Sequence, residues 1–552
     1  MKEAPRDKAS DWAKRIDRTI SVIAPGWQAR RERARLQLRA MALVGSYIGA
    51  SKKRRATQEW NPLAGDADAD IIYDLATLRV RSRDLLRNAP VACGAVNTTL
   101  MNVVGTGLKL QARIDRKALN ISDDEADEWE DKTEREWRLF AEARECDCAR
   151  QLTFAGIQEL AFRQTLENGE VFALLPRFKR PGSPYLLKLQ LIEADRVGNP
   201  NLARNTTTLM EGVEKDERGA PVAYHILDQH PYAPVIDAKK YKWTKVPAFG
   251  GASGQPNVIH LYNIQRPGQT RGVPFLAPVI EPLKMLDRYS EAELMAAVIS
   301  SMFTVFVTTP GGGLPWDNTG LGVETGASAA DTDIKLASGN IVGLGKGDDV
   351  KFADPKRPNQ NFDLFVTAIL EQIGTALGIP YEIIIRHFSS SYSASRAALL
   401  EAWRFFKNRR VWLAANFCQP VYETWLFEAI AAGRVSAPGF FADDMIRKAY
   451  CGTEWVGDAP GYIDPAKDIE AAKERMGAKI STLAEETTLL TGGDTEKKIP
   501  QIAREIKHLE KFGMMHPALT EENKQQRAAA LLPGKVKAES DDTKEEDDDE
   551  DT

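Results

Sequence analysis

Four stretches of this sequence hold residues whose type and spacing could do chemistry. The first, "NIVGLGKGDD" (Asn340–Asp349), has the glycines and the lysine of a loop that cradles phosphates. Such a loop reads Gly-x-x-x-x-Gly-Lys-Ser/Thr and runs straight into a long helix. Here Asn340 stands where the first glycine belongs, and Gly347 replaces the hydroxyl that holds magnesium. No long helix follows directly, so a glycine-rich turn is the better reading. The second stretch is Cys146-x-Cys148, the only close pair among five cysteines (Cys93, Cys146, Cys148, Cys418, Cys451). Without a Cys-x-x-Cys or His-x-x-x-His partner it reads as unpaired thiols in a reducing cytosol, not as a metal site. The third is Glu193 and Asp195, which alternate on an expected strand and are expected to flank it rather than share a substrate.

The fourth is "RHFSSSYSASRAALLEAWRFFKNRR" (Arg386–Arg410), where a serine run meets a strong helix former. His387 could be imagined as a base for Ser389 or Ser391, but a nucleophile needs a rigid, oriented base and an oxyanion site. A flexible loop offers neither. No Gly-x-Ser-x-Gly occurs, and the six histidines (His225, His230, His260, His387, His508, His516) lack metal spacing. A site assembled across distant segments stays open at this level. The residues themselves point to no catalytic group, no metal and no cofactor, and to a protein that is not an enzyme.

The elements that must carry these residues follow from periodicity and breakers. A basic arm with one helix occupies residues 1–60, holding about fifteen Lys or Arg against about six acids. Arg30, Arg31, Arg33 and Arg35 could track phosphates, or form an ordinary solvated face. Two helices split at Pro90 follow, closed by Gly105-Thr106-Gly107. Residues 108–272 alternate between helix and strand patterns, with "YLLKLQLIEADRV", "APVAYHIL" and "NVIHLY" as strands and a helix stopped at Asn168-Gly169. From Val273 a helix runs to about Phe303, then a glycine-rich segment, then a helix marked by Phe362, Phe365, Ile369, Ile373 and Leu377. Arg396–Ala432 reads as one long helix with Pro420 inside it, which predicts a kink near Asn416–Pro420. The remainder is helical and polar to Leu532. The tail from Glu539 has about ten acids against Lys544 and cannot bury enough apolar surface to fold.

The 552 residues allow several subdomains, and a formal charge of −5 averages over a basic start and an acidic end. The start lacks the apolar segment of a signal peptide. The longest apolar run, within Leu294–Trp316, falls short of the roughly 20 residues a spanning helix needs. A cytoplasmic protein of mixed α/β (α+β) class is expected.

The order of motifs resembles that of the lambda-type phage portal proteins, the head-to-tail connectors of tailed phages. The matching pieces are "RSRDLLRNAPVACGAVNTTLMNVVGTGLKLQ", "GEVFALL", "LQLIEADRV", "GVEKDERGAPVAYHI", "VIHLYNIQRPGQTRGVPFLAPVIEPLKMLDRYSEAELMAA", "YSASRAALLEAWRFFKNRR" and "YIDPAKDIEAAKERMGAKISTLAEE". They lie in collinear order; the basic arm and acidic tail depart from the pattern. The resemblance implies a portal-type fold and a ring, of about twelve subunits, at one capsid vertex. Double-stranded DNA would pass through its channel during packaging and ejection.

Placed on this chain, the resemblance gives an α/β wing at 61–272, a stem helix at 273–303 and a clip at 304–360. A second stem helix with its connection falls at 361–388, a tunnel loop at 389–395 and a long kinked helix at 396–433. A C-terminal wing or crown region at 434–532 and a disordered tail at 533–552 complete the chain. The tunnel-loop residues implied to meet DNA are Ser389, Ser390, Ser391, Tyr392, Ser393, Ser395 and Arg396, with Pro420 at the kink. Hydroxyls would give weak, exchangeable phosphate contacts, whereas a ring of cations would hold DNA through many salt-dependent contacts. A flexible connector between helices is the plain alternative. The implied partners are the terminase large subunit, the major capsid and scaffold proteins, and the head-completion or tail connector proteins, with no membrane. The implied place is the virion, with the host cytoplasm during assembly. The reading from another class is a nuclease of the packaging apparatus.

Overall fold

A computed structural model describes residues 54–512 apart from 235–236, 238–240, 302–304, 309–340, 345–361, 389–390 and 462–463, together with Arg33 and Ala50. Nearly all of the basic arm, most of the expected clip, Ser389, Ser390 and the acidic tail lie outside the described residues. The chain divides into two units, Met1–Asp66 and Ala67–Thr552. In the first, the Thr57 and Gln58 amides close a turn on the Arg54 carbonyl. The second carries the mixed helix-and-sheet architecture.

Helices α1 (Ala67–Asn88) and α2 (Pro90–Val103) meet at Pro90, which opens α2 where a missing N–H costs no helical bond. Strand β1 (Lys109–Ala112) follows. Helix α3 (Asp123–Ala141) starts on a capping box between Ser122 and Glu125, with Asp123 and Asp124 at the positive end of its dipole. Helix α4 (Phe154–Asn168) stops at Gly169, φ 88°, where a Cβ would lie 2.4 Å from the Val273 carbonyl carbon. Only glycine fits that turn.

The chain leaves the turn as β2 (Glu170–Leu174), which pairs antiparallel with β3 (Gln190–Ile192). Strands β4 (Leu209–Met210), β5 (Val213–Lys215), β6 (Pro221–Leu227) and β7 (Trp243–Pro247) form an antiparallel meander. Strand β8 (Val258–Tyr262) then returns to the free edge of β2, with Phe172 opposite His260. Phe172, Ile192, Val197, Val213, Tyr224, Ile226, Ala248 and Val258 fill a small core shared by the two sheets.

Helix α5 (Ile280–Ser301) leads to β9 (Val305–Thr308), which pairs in parallel with β10 (Ile341–Leu344). Helix α6 (Phe362–Leu377) packs back on α5, and the short α7 (Tyr381–Ile385) follows. Helix α8 (Tyr392–Leu413) passes through a π turn, Ala414–Cys418, into α9 (Gln419–Ala431). Strand β11 (Thr453–Val456) and helices α10 (Pro465–Gly477), α11 (Leu483–Thr491) and α12 (Thr495–Lys511) close the described chain.

Residues 61–272 do not close the main core by themselves. β11 pairs antiparallel with β1, setting Val456 opposite Lys109. Trp137 of α3 meets Trp425 of α9 edge-on at 5.1 Å and Phe154 of α4 at 5.2 Å. α9 also buries Val421, Tyr422, Thr424, Leu426 and Ala429. Each large side chain so buried contributes roughly 1.5–3 kcal/mol, so the second half of the kinked helix is a core element. Among the described residues, no helix is long and apolar enough to cross a membrane.

Candidate functional site

The serine segment hangs between two anchored elements. α7 buries Ile383 and Ile384 and ends at Arg386, whose left-handed backbone (φ 54°) lets its amide reach the Glu382 carbonyl. The Arg386 guanidinium donates to Thr98 Oγ1 of α2 at 3.3 Å. Upstream, Gly378 (φ 69°) ends α6 with a Cβ position only 3.2 Å from the Phe405 ring. His387 and Phe388 are exposed.

The helix after the segment begins at Tyr392 rather than at Arg396, which corrects the expected loop of 389–395. Ser391 is the cap: its Oγ accepts from the Ala394 amide at 3.4 Å, and its carbonyl accepts from the Ser395 amide at 2.9 Å. An N-cap serine satisfies a donor that the first helical turn leaves open, so the serine run supplies its own helix start. Ser393 is exposed in the first turn, while Ser395 and Arg396 are half-buried. Arg396 is set against Asp468 of α10 at 3.3 Å. Ser389 and Ser390 lie outside the described residues.

The expected kink coincides with a change of helical type. The π turn Ala414–Cys418 ends two residues before Pro420, which sits in the first turn of α9. Proline cannot donate to the carbonyl one turn back, and a π turn is a common way for a helix to absorb such a break. Gln419 fixes the junction: its Nε2 donates to the Cys451 carbonyl at 2.8 Å, and its Oε1 accepts from Trp455 Nε1 at 3.3 Å and from the Thr453 hydroxyl.

Glu193 and Asp195 do not flank a strand as expected. Strand β3 ends at Ile192, a 3₁₀ turn at Ala194–Arg196 follows, and both carboxylates reach His230 Nε2 at 3.4 Å. Asp195 also pairs with Arg83. Both carboxylates are engaged by side chains of their own chain. The five cysteines are free, and burial pushes the Cys146 thiol up to about 12. Among the described residues, no group of three or more His, Cys, Asp or Glu is placed to hold a metal ion. Of the phosphate-loop-like stretch, only Ile341–Leu344 is described, as strand β10.

Sequence reasoning missed a buried charge cluster around Glu170, at the start of β2. Its carboxylate is fully buried and accepts from Arg79, from Arg271 Nε at 2.7 Å, from His260 Nε2 at 2.8 Å and from the Gly272 amide at 2.9 Å. Burial alone would raise its pKa; Arg271, Arg79 and the His260 bond outweigh burial and hold it well below the usual carboxylate range. Burial lowers the pKa of His260, which lies stacked between Phe172 at 4.1 Å and Tyr262 at 4.2 Å. The signal was an acid following Gly169 at the head of an apolar strand, together with Arg271 ahead of Gly272.

Residues 53–410 match the family described as phage portal protein, lambda family. The chain belongs to the lambda family of phage portal proteins. It is 26% identical over 496 residues to portal protein B of Escherichia phage lambda, covering 86% of this chain and 92% of that protein. The portal protein of Escherichia phage N15 is 26% identical over 479 residues, covering 83% and 89%. A probable portal protein of Halomonas phage phiHAP-1 is 24% identical over 482 residues, covering 85% and 87%. Among solved structures, a chain from the virion of a native gene transfer agent particle is similar, with a TM-score of 0.36 and 15% identity. It covers 79% of this chain and 96% of that one. A chain from the neck of an empty gene transfer agent particle gives a TM-score of 0.37 and 16% identity, with the same coverage. Membership makes this a portal protein of the phage head, and its relatives carry structural rather than catalytic names.

Proposed function

We propose that copies of this chain close into a ring at one capsid vertex. Double-stranded DNA passes through its channel, driven inward by a docked terminase and released later through tail connector proteins. The observation that carries the reading is the helical pair α5–α6. Its base is anchored by Leu283, Leu286, Leu370, Ile373 and Leu377, all buried. Beyond Leu286, no residue of α5 from Asp287 to Val298 is buried, and Tyr289 packs on Phe362 and Phe365 at 5.4 and 5.2 Å. Leu294, Met295, Val298, Leu364 and Phe365 are exposed there. A solvated apolar helix pair of this length is costly for a monomer, and side-by-side copies would cover it.

Within that ring the exposed residues His387, Phe388, Ser391 and Ser393 serve as the DNA-facing segment. It has hydroxyls at Ser391 and Ser393, and the neighbouring Arg396 is set against Asp468. A segment that offers hydroxyls, with Arg396 paired to Asp468 and Arg386 bonded to Thr98, contacts phosphates weakly, which suits sliding. Negative-stain imaging and light scattering of the purified protein, in high salt with nuclease, test the reading. Rings with a central channel that survive the treatment are expected. Oligomers that collapse to monomers when nucleic acid is removed would refute it.

A further inference from the structure

A closed ring of identical subunits needs two different, complementary faces on each copy, one to give and one to receive. Helices α1 and α8 offer such faces. Both pack on α2, and both turn an outer stripe to solvent. On α1 the stripe presents Tyr73, 87% exposed, and Val80, 61% exposed; on α8 it presents Leu400 and Val411, at 56% and 57%. Charges flank the two stripes, and on both helices the acid precedes the base. α1 carries exposed Asp74 and Arg81, seven residues apart, or about 10 Å along a helix. α8 carries exposed Glu401 and Lys407, about 9 Å apart. Among the described residues, Asp74, Arg81 and Lys407 have no ionic partner in their own chain, and Glu401 meets only Arg404 one turn away.

We propose that α1 of one copy lies antiparallel on α8 of the next, forming the repeated head-to-tail contact; this rests on the ring reading above. In that register Asp74 faces Lys407 and Arg81 faces Glu401. Val80 then meets Leu400, and Tyr73 meets Val411. The parallel register puts like charges together, Asp74 on Glu401 and Arg81 on Lys407. The charges therefore select the direction, and the four apolar side chains supply the buried area.

The test is a charge-exchange cycle in the full-length protein. Asp74→Lys and Lys407→Glu, each as a folded species by circular dichroism, are expected to raise the concentration for half-assembly by about tenfold or more. The double variant should recover most of the loss, because the exchanged charges again oppose. As a second measurement, Tyr73→Cys combined with Val411→Cys should give a ladder of covalent multimers with a short bismaleimide, and neither single variant should. Normal ring yield from both charge variants, or a double variant weaker than either single one, overturns the pairing. It would assign the two stripes to another partner while leaving the ring reading intact. Wild-type protein that forms no ring at any concentration fails the ring reading itself, and the pairing with it.

Discussion

Arg271 Nε donates to Glu170 Oε1 at 2.7 Å, and the same guanidinium donates to the Ala194 carbonyl at 2.9 Å and the Val197 carbonyl at 3.1 Å. One fully buried side chain thereby ties β2 to the turn that leads into the β4–β7 sheet. A buried ion pair is weak support for net stability, but breaking one side of it is costly because the other charge stays buried and unpaired.

Glu170→Ala removes the carboxylate that Arg79 and Arg271 share, leaving Arg79 only the more distant Asp195 at 3.9 Å. It is expected to destabilise the second unit by about 3–5 kcal/mol, read from the urea midpoint. Arg271→Lys keeps the charge but loses the planar fork that serves four acceptors at once, the Glu211 carbonyl among them, so a large part of the same loss is expected. A loss below about 1 kcal/mol for both variants would show that the cluster relaxes around water.

The same cluster sets an acid limit. Glu170 titrates below its ordinary 4.5 in the folded chain, so its stabilising contribution is fully present above that value. It is lost as pH falls through the folded value. His260 is held below its ordinary 6.5 by burial, so the unfolded chain takes up a proton that the folded chain refuses. Stability therefore starts to fall as pH drops below about 6.5 and falls more steeply below about 4.5. Urea midpoints across pH 4–8 check this, and His260→Gln should flatten the upper limb. An unchanged upper limb in that variant would assign it to other histidines.

The position of the helix start separates two serines that look alike in sequence. Ser391→Ala removes the cap of α8 and should cost about 1 kcal/mol. Ser393→Arg adds an exposed cation for a stability change within about 0.5 kcal/mol. In intact rings, Ser393→Arg should slow DNA packaging, and the slowing should ease as salt rises, because phosphate contacts weaken with screening. Packaging at wild-type rate in that variant would remove this segment from the channel.

Pro420→Ala gives the first turn of α9 an N–H two residues after the π turn ends. With the break removed, the helix is expected to regain α geometry across Ala414–Cys418 and so to rotate α8 relative to the buried α9. Ring yield should drop while packaging by the rings that do form stays normal. Reduced packaging with full ring yield would reverse that assignment.

Most of the helices and strands follow from patterns contained within a dozen residues. Pro90 opening α2, Asn168-Gly169 ending α4 and Gly378 ending α6 stand where breaker chemistry places them. The collinear motifs carried the family. Even the start of α8 was local information: Ser391 has the hydroxyl for a cap, but a run of serines also fits a loop, and composition cannot separate the two.

Tertiary structure decided whatever depends on which distant segments meet. The pairing of β11 with β1, the seat of Trp425 against Trp137 and the contact of Arg396 with Asp468 all join residues far apart in the chain. Glu170 and Asp74 illustrate the limit. As sequence they are two acids near apolar neighbours; in the folded chain one is fully buried among two arginines and a histidine, and the other faces solvent. Burial is a property of what packs on a residue, and a carboxylate's own chemistry is the same in both places until the neighbours arrive.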